Sequence, residues 1–132
     1  MNFDIAVIPG DGIGKEVVPA AVTVLQATAK RYGHNFNVNR GLLGGAALDE
    51  GLPPLPQETL EMCRTCDAVL FGAVGDPKYD YPGSKVLPNV GLRQLRFELG
   101  LDVNLRPARH FPALKDRTPL KPEVIKGVDF IV

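Results

Sequence analysis

A nearly continuous apolar run, Ile5-Ala-Val-Ile8, leads into Gly10-Asp-Gly-Ile-Gly14 and then into a stretch whose apolar residues recur at helical spacing. Few folds accommodate all three. A strand that is apolar on both faces needs cover on both faces, as in a parallel sheet buried between helices. The glycines supply a strand-to-helix turn after residues 4–9. Val18, Ala21, Val22, Leu25, Ala29 and Tyr32 then share one face of a helix that Gly33 is placed to stop. Pro19 fits if that helix begins near Lys15 or Glu16, because a proline in the first turn forfeits no intrahelical bond.

The alternation repeats along the chain. Residues 36–40 read as a second strand, Gly44-Gly45 and Pro53-Pro-Leu-Pro56 as loops, and 56–66 as a second helix. Residues 68–71 read as a third strand feeding the loop Gly72-Ala-Val-Gly-Asp-Pro-Lys-Tyr-Asp80, which runs on, rich in Pro and Gly, to a short amphipathic helix. Residues 103–105 and 128–132 look like further strand pieces. Repeated strand–helix units of this length predict an α/β layered fold with a mainly parallel sheet. At 132 residues and 45% hydrophobic content the chain suffices for one ordinary domain.

Several classes of function lose support at once. Fifteen basic and fifteen acidic residues leave no net charge, which gives no reason to expect a nucleic acid or an anionic membrane as partner. No apolar run approaches the roughly 18 residues of a membrane span, and the N-terminus lacks a basic-then-apolar signal. A cytoplasmic location is the default expectation. Cys63 and Cys66 have redox or zinc spacing, but no second pair follows, so packing near a helix end is the expected role.

The stretch from Gly91 to Ala108 carries the chemistry. Leu92, Leu95 and Leu99 recur at helical spacing, and Arg93 and Arg96, three apart, share a helix face. Arg106 precedes Pro107 and is therefore biased toward an extended backbone. A helix and a neighbouring strand would thus offer planar guanidinium forks, which suit a carboxylate because they bond in bidentate fashion. The alternative is a solvated basic face.

The glycine turn matches neither familiar nucleotide loop. The dinucleotide fingerprint spaces its last two glycines three apart, whereas Gly12 and Gly14 are two apart, and Asn39 and Arg40 stand where an acidic residue belongs. A Walker loop needs Ser or Thr after its lysine, and Glu16 follows Lys15. What remains is either a tight structural turn or a flexible backbone whose N–H groups, near a helix N-terminus, favour an anion.

Four blocks together carry a resemblance. They are Pro9-Gly-Asp-Gly-Ile-Gly-Lys-Glu-Val17; Leu43-Gly-Gly-Ala-Ala-Leu-Asp49 with Leu52-Pro-Pro-Leu-Pro56; Ala68-Val-Leu-Phe-Gly-Ala-Val-Gly-Asp-Pro-Lys-Tyr-Asp80; and Leu95-Arg96 with Asn104-Leu-Arg-Pro-Ala108. In this order and spacing the chain resembles the N-terminal third of the isocitrate/isopropylmalate dehydrogenase family, the metal-dependent β-decarboxylating dehydrogenases, with block details similar to the isopropylmalate branch. The resemblance implies an oxidoreductase that passes a hydride from a 2-hydroxy acid, a substituted malate, to NAD and releases carbon dioxide with the help of Mg2+ or Mn2+. It implies that Arg96 and Arg106 hold the departing carboxylate. It places Asp11, Gly12, Ile13 and Gly14, with the loop from Gly75 and Asp76 to Asn89, at the NAD site. Leu92 and Arg93 fall where the family lines the substrate pocket. Isopropylmalate enzymes usually carry a Glu and a Leu-Leu pair where this chain has Asn89, Leu92 and Arg93. An arginine at position 93 is closer to homoisocitrate dehydrogenases, so homoisocitrate, isocitrate and tartrate remain alternative substrates. Arg93 either enters the pocket or turns outward, leaving Leu92 to cover an alkyl group.

The resemblance also implies an organisation. Residues 1–100 are expected to form the first part of a cofactor and substrate domain, and 101–132 the start of a second domain through which the family forms homodimers. Gly127-Val-Asp-Phe-Ile-Val132 is an apolar finish without a polar tail, so the chain is expected to be the first part of a longer protein. The catalytic Tyr and Lys and the metal-binding aspartates are expected beyond residue 132. These 132 residues alone are therefore expected to fold poorly and not to turn over. A non-catalytic remnant of the fold is the remaining alternative.

Overall fold

The computed structural model describes residues 1–79, 81–84 and 86–132, and for Lys115 and Asp116 the backbone alone. The described part of the chain divides into two compact units, Met1–Gly100 and Leu101–Val132.

In the first unit β1 (Asn2–Gly10) lies between β2 (Asn35–Arg40) and β3 (Ala68–Ala73), both parallel to it. Its continuous apolar run is explained by cover on both sides. Ile5 and Val7 pack against Val18 and Val22 of α1 (Gly14–Tyr32). Ala6 and Ile8 face the opposite layer, with Leu43, Leu55, Leu60 and Cys63 and with Leu95 from α4 (Asn89–Glu98). All four β1 side chains are at most 7% exposed, so the strand-to-helix turn that follows has a rigid base.

Local chemistry accounts for most boundaries. Gly33 adopts φ 69° and caps α1 through its N–H to the Ala29 carbonyl. The helix begins at Gly14, a residue before the expected start, which puts Pro19 beyond the first turn. Its ring is tolerated because the position is exposed and the Lys15 carbonyl deprived of a donor is on an exposed residue. Tyr32, expected on the core face, is 64% exposed with Arg31 stacked 5.8 Å from its ring centroid. Phe3, His34 and Phe36 pack together at this end of the sheet instead. Residues 57–65 form α3, one residue shorter at each end than expected. Gly44-Gly45, expected as loop, opens a five-residue helix, α2 (Gly45–Asp49).

The second unit departs further. Residues 103–105 are not a strand; β4 is Pro107–Arg109, antiparallel to β5 (Asp129–Ile131). Arg106 continues the ladder, exchanging both backbone hydrogen bonds with Val132 (2.8 and 3.0 Å). Pro107 then faces Ile131 at a non-hydrogen-bonded position, where its missing N–H costs nothing. A 3₁₀ turn (Pro112–Arg117) and α5 (Pro122–Ile125), neither expected from periodicity, connect the strands.

Candidate functional site

The C-terminal ends of β1 and β3 converge, and in parallel sheets this is the end at which ligands bind. The Asp11 backbone N–H donates to the Ala73 carbonyl (2.8 Å), joining the first turn to the end of β3. The Asp11 side chain is 2% exposed, and its carboxylate accepts three backbone N–H groups: Gly45 (2.9 Å) and Gly75 (2.9 Å) on Oδ2, and Ala46 (2.8 Å) on Oδ1. It therefore caps α2 from 34 residues away while holding the loop after β3. The glycine pair makes room for it. A Cβ on Gly44, at φ 73°, would stand 2.7 Å from Asp11 Oδ2, and one on Gly45 3.1 Å from Oδ1.

The far end of α2 carries a second clamp. Asp49 Oδ1 accepts from Lys78 Nζ (2.5 Å) and Tyr79 OH (2.8 Å), and Asp76 Oδ1 accepts the Lys78 backbone N–H (2.9 Å). The hydrogen bonds from Lys78 and Tyr79 hold the Asp49 carboxyl below its ordinary value near 3.8. The same hydrogen bond to Asp49 raises Lys78, and Asp49 raises the Tyr79 phenol. Asp49 thus contributes to folding above its ordinary value and stops doing so as pH falls through the depressed one. Lys78 and Tyr79 contribute below their ordinary values, 10.5 and 10.0, and stop as pH rises through the raised ones. Tyr79 is accordingly expected to ionise above the ordinary 10.0, and Asp49→Asn to bring it back toward that value, as read by ring carbon shifts in NMR. An unchanged Tyr79 titration in Asp49→Asn would show the clamp to be absent in solution.

Between the clamps, backbone is left open. A Cβ on Gly12 would meet only the Gly75 carbonyl, at 4.0 Å, so the first turn and the loop after β3 run side by side without side chains between them. Gly12 and Gly75 are both exposed, and Ile13 beside them is 59% exposed. Gly14 is buried at the start of α1, and Asp76 is half-buried. This shelf of bare backbone with an apolar flank lets a ligand approach the main chain closely. The loop expected to continue to Asn89 includes Asp80 and Lys85, which lie outside the described residues.

The arginine helix is held on three sides. Leu95 is buried, and Leu92 and Leu99 pack against the same cluster. Gly91 lies so near the Pro54 carbonyl that a Cβ would stand 2.3 Å from it. Arg64 on α3 reaches Glu98 at 2.6 Å. Arg93 is exposed, Arg96 is half-buried, and Asn89 is exposed at the first position of the helix. Arg106, in the second unit, is exposed. Among the described residues none of these three arginines pairs with a carboxylate.

Two other features bear on chemistry. Burial, with a smaller push from Cys66, raises the Cys63 thiol to about 11, which keeps it protonated within the core cluster. A wide groove of about 1150 Å³ opens between β2 and α3, lined in part by Arg40, Thr59, Met62 and Cys66. None of the glycine-turn residues, Gly75, Asp76, Asn89 or the three arginines lines it, so its size alone does not mark the site. Among the described residues no group of three or more His, Cys, Asp or Glu side chains comes together as a metal site. No helix described is long and apolar enough to cross a membrane.

Sequence reasoning did not find the Asp49–Lys78–Tyr79 clamp, whose partners lie 29 and 30 residues apart with no local pattern to join them.

Comparison with known proteins agrees with this architecture. Residues 4–132 match the model of the isocitrate/isopropylmalate dehydrogenase family. The chain is 52% identical over 131 residues to the 3-isopropylmalate dehydrogenase of Bacillus caldotenax, covering 99% of this chain and 36% of that protein. It is 49% identical over 132 residues to that of Bacillus subtilis, again covering 36% of the relative. Among solved structures it is similar to a β-decarboxylating dehydrogenase from Thermococcus kodakarensis, with TM-score 0.62 and 37% identity over 98% of this chain and 32% of that one. It is also similar to the isocitrate dehydrogenase of Methylococcus capsulatus, with TM-score 0.63 and 36% identity over 83% of this chain and 29% of that one. The chain spans about a third of the length of these relatives.

Proposed function

The chain belongs to the isocitrate/isopropylmalate dehydrogenase family, and on that premise we propose that it is the N-terminal part of an NAD-dependent oxidative decarboxylase acting on 3-isopropylmalate in leucine biosynthesis. The observation that carries this reading is the 52% identity over 131 residues to an enzyme of that name. The open shelf of Gly12 and Gly75 supports it from the side of the cofactor.

When bound, NAD supplies the hydride acceptor and a Mg2+ or Mn2+ ion supplies charge stabilisation. In this proposal the ion's ligands lie beyond residue 132. The chain's own contribution is position. In this proposal Arg96 and Arg106 fork onto the carboxylate that leaves, fixing its orientation relative to the C2 hydrogen. The turn of Asp11, Gly12, Ile13 and Gly14 presents its exposed Gly12 and Ile13 to the dinucleotide, together with Gly75, Asp76 and Asn89, while the buried Asp11 and Gly14 support it from beneath. Leu92 covers the alkyl substituent. The intact protein works as a cytoplasmic homodimer, with residues 1–100 contributing to the cofactor and substrate domain and 101–132 opening the dimerisation-side domain.

Specificity constants for isopropylmalate, homoisocitrate, isocitrate and tartrate, measured with NAD on the intact protein, test the reading. Isopropylmalate is expected to lead, and absence of turnover with all four would end it. The arginine at position 93 keeps open a second reading, homoisocitrate, whose distal carboxylate it would pair. Arg93→Leu is expected to raise the ratio of alkyl-malate to tricarboxylate specificity about tenfold or more, the worth of one charged hydrogen bond. An unchanged ratio would remove Arg93 from the pocket.

A further inference from the structure

The Asp11 carboxylate has no free face. Three backbone N–H groups from two separate segments occupy it, and the side chain is 2% exposed, so it has nothing to offer a ligand directly. Its place is nonetheless specific. The next residue in sequence, Gly12, and one of its own donors, Gly75, are the two exposed positions that form the open shelf. We propose that Asp11 is a positioning residue whose buried carboxylate, shared among the N–H groups of Gly45, Ala46 and Gly75, locks the first turn, α2 and the loop after β3 into one preformed surface for the dinucleotide. The inference rests on the functional reading above and adds to it how the surface is made.

Neutral packing would not do the same work. An ionised carboxylate accepts several hydrogen bonds at once and only accepts, so all three donors are drawn to one point. An asparagine of the same shape presents an NH2 group in place of one oxygen, and at least one of the three backbone donors then faces another donor. With the NH2 at the Oδ2 position the Gly45 and Gly75 bonds are lost; with it at Oδ1 the Ala46 bond is lost, so α2 forfeits part of its cap either way. A five-residue helix does not persist without such help.

The test compares Asp11→Asn with Leu60→Ala in the intact protein, Leu60 being a core residue that touches none of the three bonds. NAD binding is titrated calorimetrically at a temperature where all forms are folded, and amide hydrogen exchange is followed without ligand. Asp11→Asn is expected to weaken NAD binding about tenfold and to speed exchange at Gly45, Ala46 and Gly75. Leu60→Ala is expected to leave the dissociation constant within about twofold, since a loss of global stability alone does not alter a preformed surface. Wild-type affinity in Asp11→Asn, or equal weakening in both variants, overturns the inference. A wild-type protein that does not bind NAD sinks the functional reading and this inference with it. Where Asp11→Asn does not fold, the wild type carries the test. NAD is expected to slow exchange at all three amides together, and slowing at Gly75 alone overturns the inference.

Discussion

If the proposed function holds, replacing Arg96 and Arg106 together by Gln in the intact protein is expected to lower kcat/KM for the proposed malate-type substrate by roughly a hundredfold to ten-thousandfold. Each guanidinium contributes charged hydrogen bonds of about 1.5–3 kcal/mol to a carboxylate, and two such losses multiply into that range. The helix that carries Arg96 is already anchored. Arg96 is half-buried on α4, whose Leu95 is buried, whose Gly91 abuts Pro54, and whose Glu98 pairs with Arg64. Arg106 is fixed by its backbone, which exchanges two hydrogen bonds with Val132. Little ordering then remains for binding to accomplish at either backbone. Lysine at either position is expected to recover only part of the loss, because an ammonium is a point charge without the planar fork. Steady-state kinetics on the single, double and lysine variants check this, and wild-type kcat/KM in the double variant would dismiss the carboxylate clamp.

Gly14→Ala is expected to lower unfolding free energy by about 3 kcal/mol or more, near the severe end for a single added methyl. Its Cβ would stand 2.0 Å from the Pro9 carbonyl oxygen and 3.0 Å from the Ala73 N. Both neighbours are backbone of strands β1 and β3, so neither can swing aside as a side chain would. Relief requires α1 to lift from the sheet, uncovering Val18 and Val22. Gly33→Ala offers the contrast. Gly33 has φ 69° but nothing within 4 Å of its added Cβ, so only the left-handed backbone penalty of about 1–2 kcal/mol applies. Chemical denaturation of both variants checks the order, and a Gly14→Ala midpoint at or above that of Gly33→Ala would show that the crossing is looser than described.

The first unit was readable to the extent that its signals are local. An apolar run that needs two covers, a glycine-rich turn and a helix face closed by Gly33 are written within 33 residues, and all three stand in the structure. The arginine helix was equally plain, because Leu92, Leu95 and Leu99 state its buried side by spacing alone. The second unit was read less well. Residues 103–105 look like a strand by composition, yet pairing with Asp129–Ile131 begins at Arg106 and Pro107, and a strand forms where its partner is.

Periodicity and turn chemistry act between neighbours in the chain, so the order of elements and the faces they bury can be read along it. The shape of the candidate site cannot. α2 exists because a carboxylate 34 residues earlier caps it. The first part of the loop after β3 is placed because Asp11 holds it at Gly75 and Asp49 at Lys78 and Tyr79, both carboxylates being distant in sequence. A charge–backbone bond between remote segments leaves no period in the sequence, because its partners meet only where the sheet sets the ends of β1 and β3 side by side, next to the open backbone at Gly12 and Gly75.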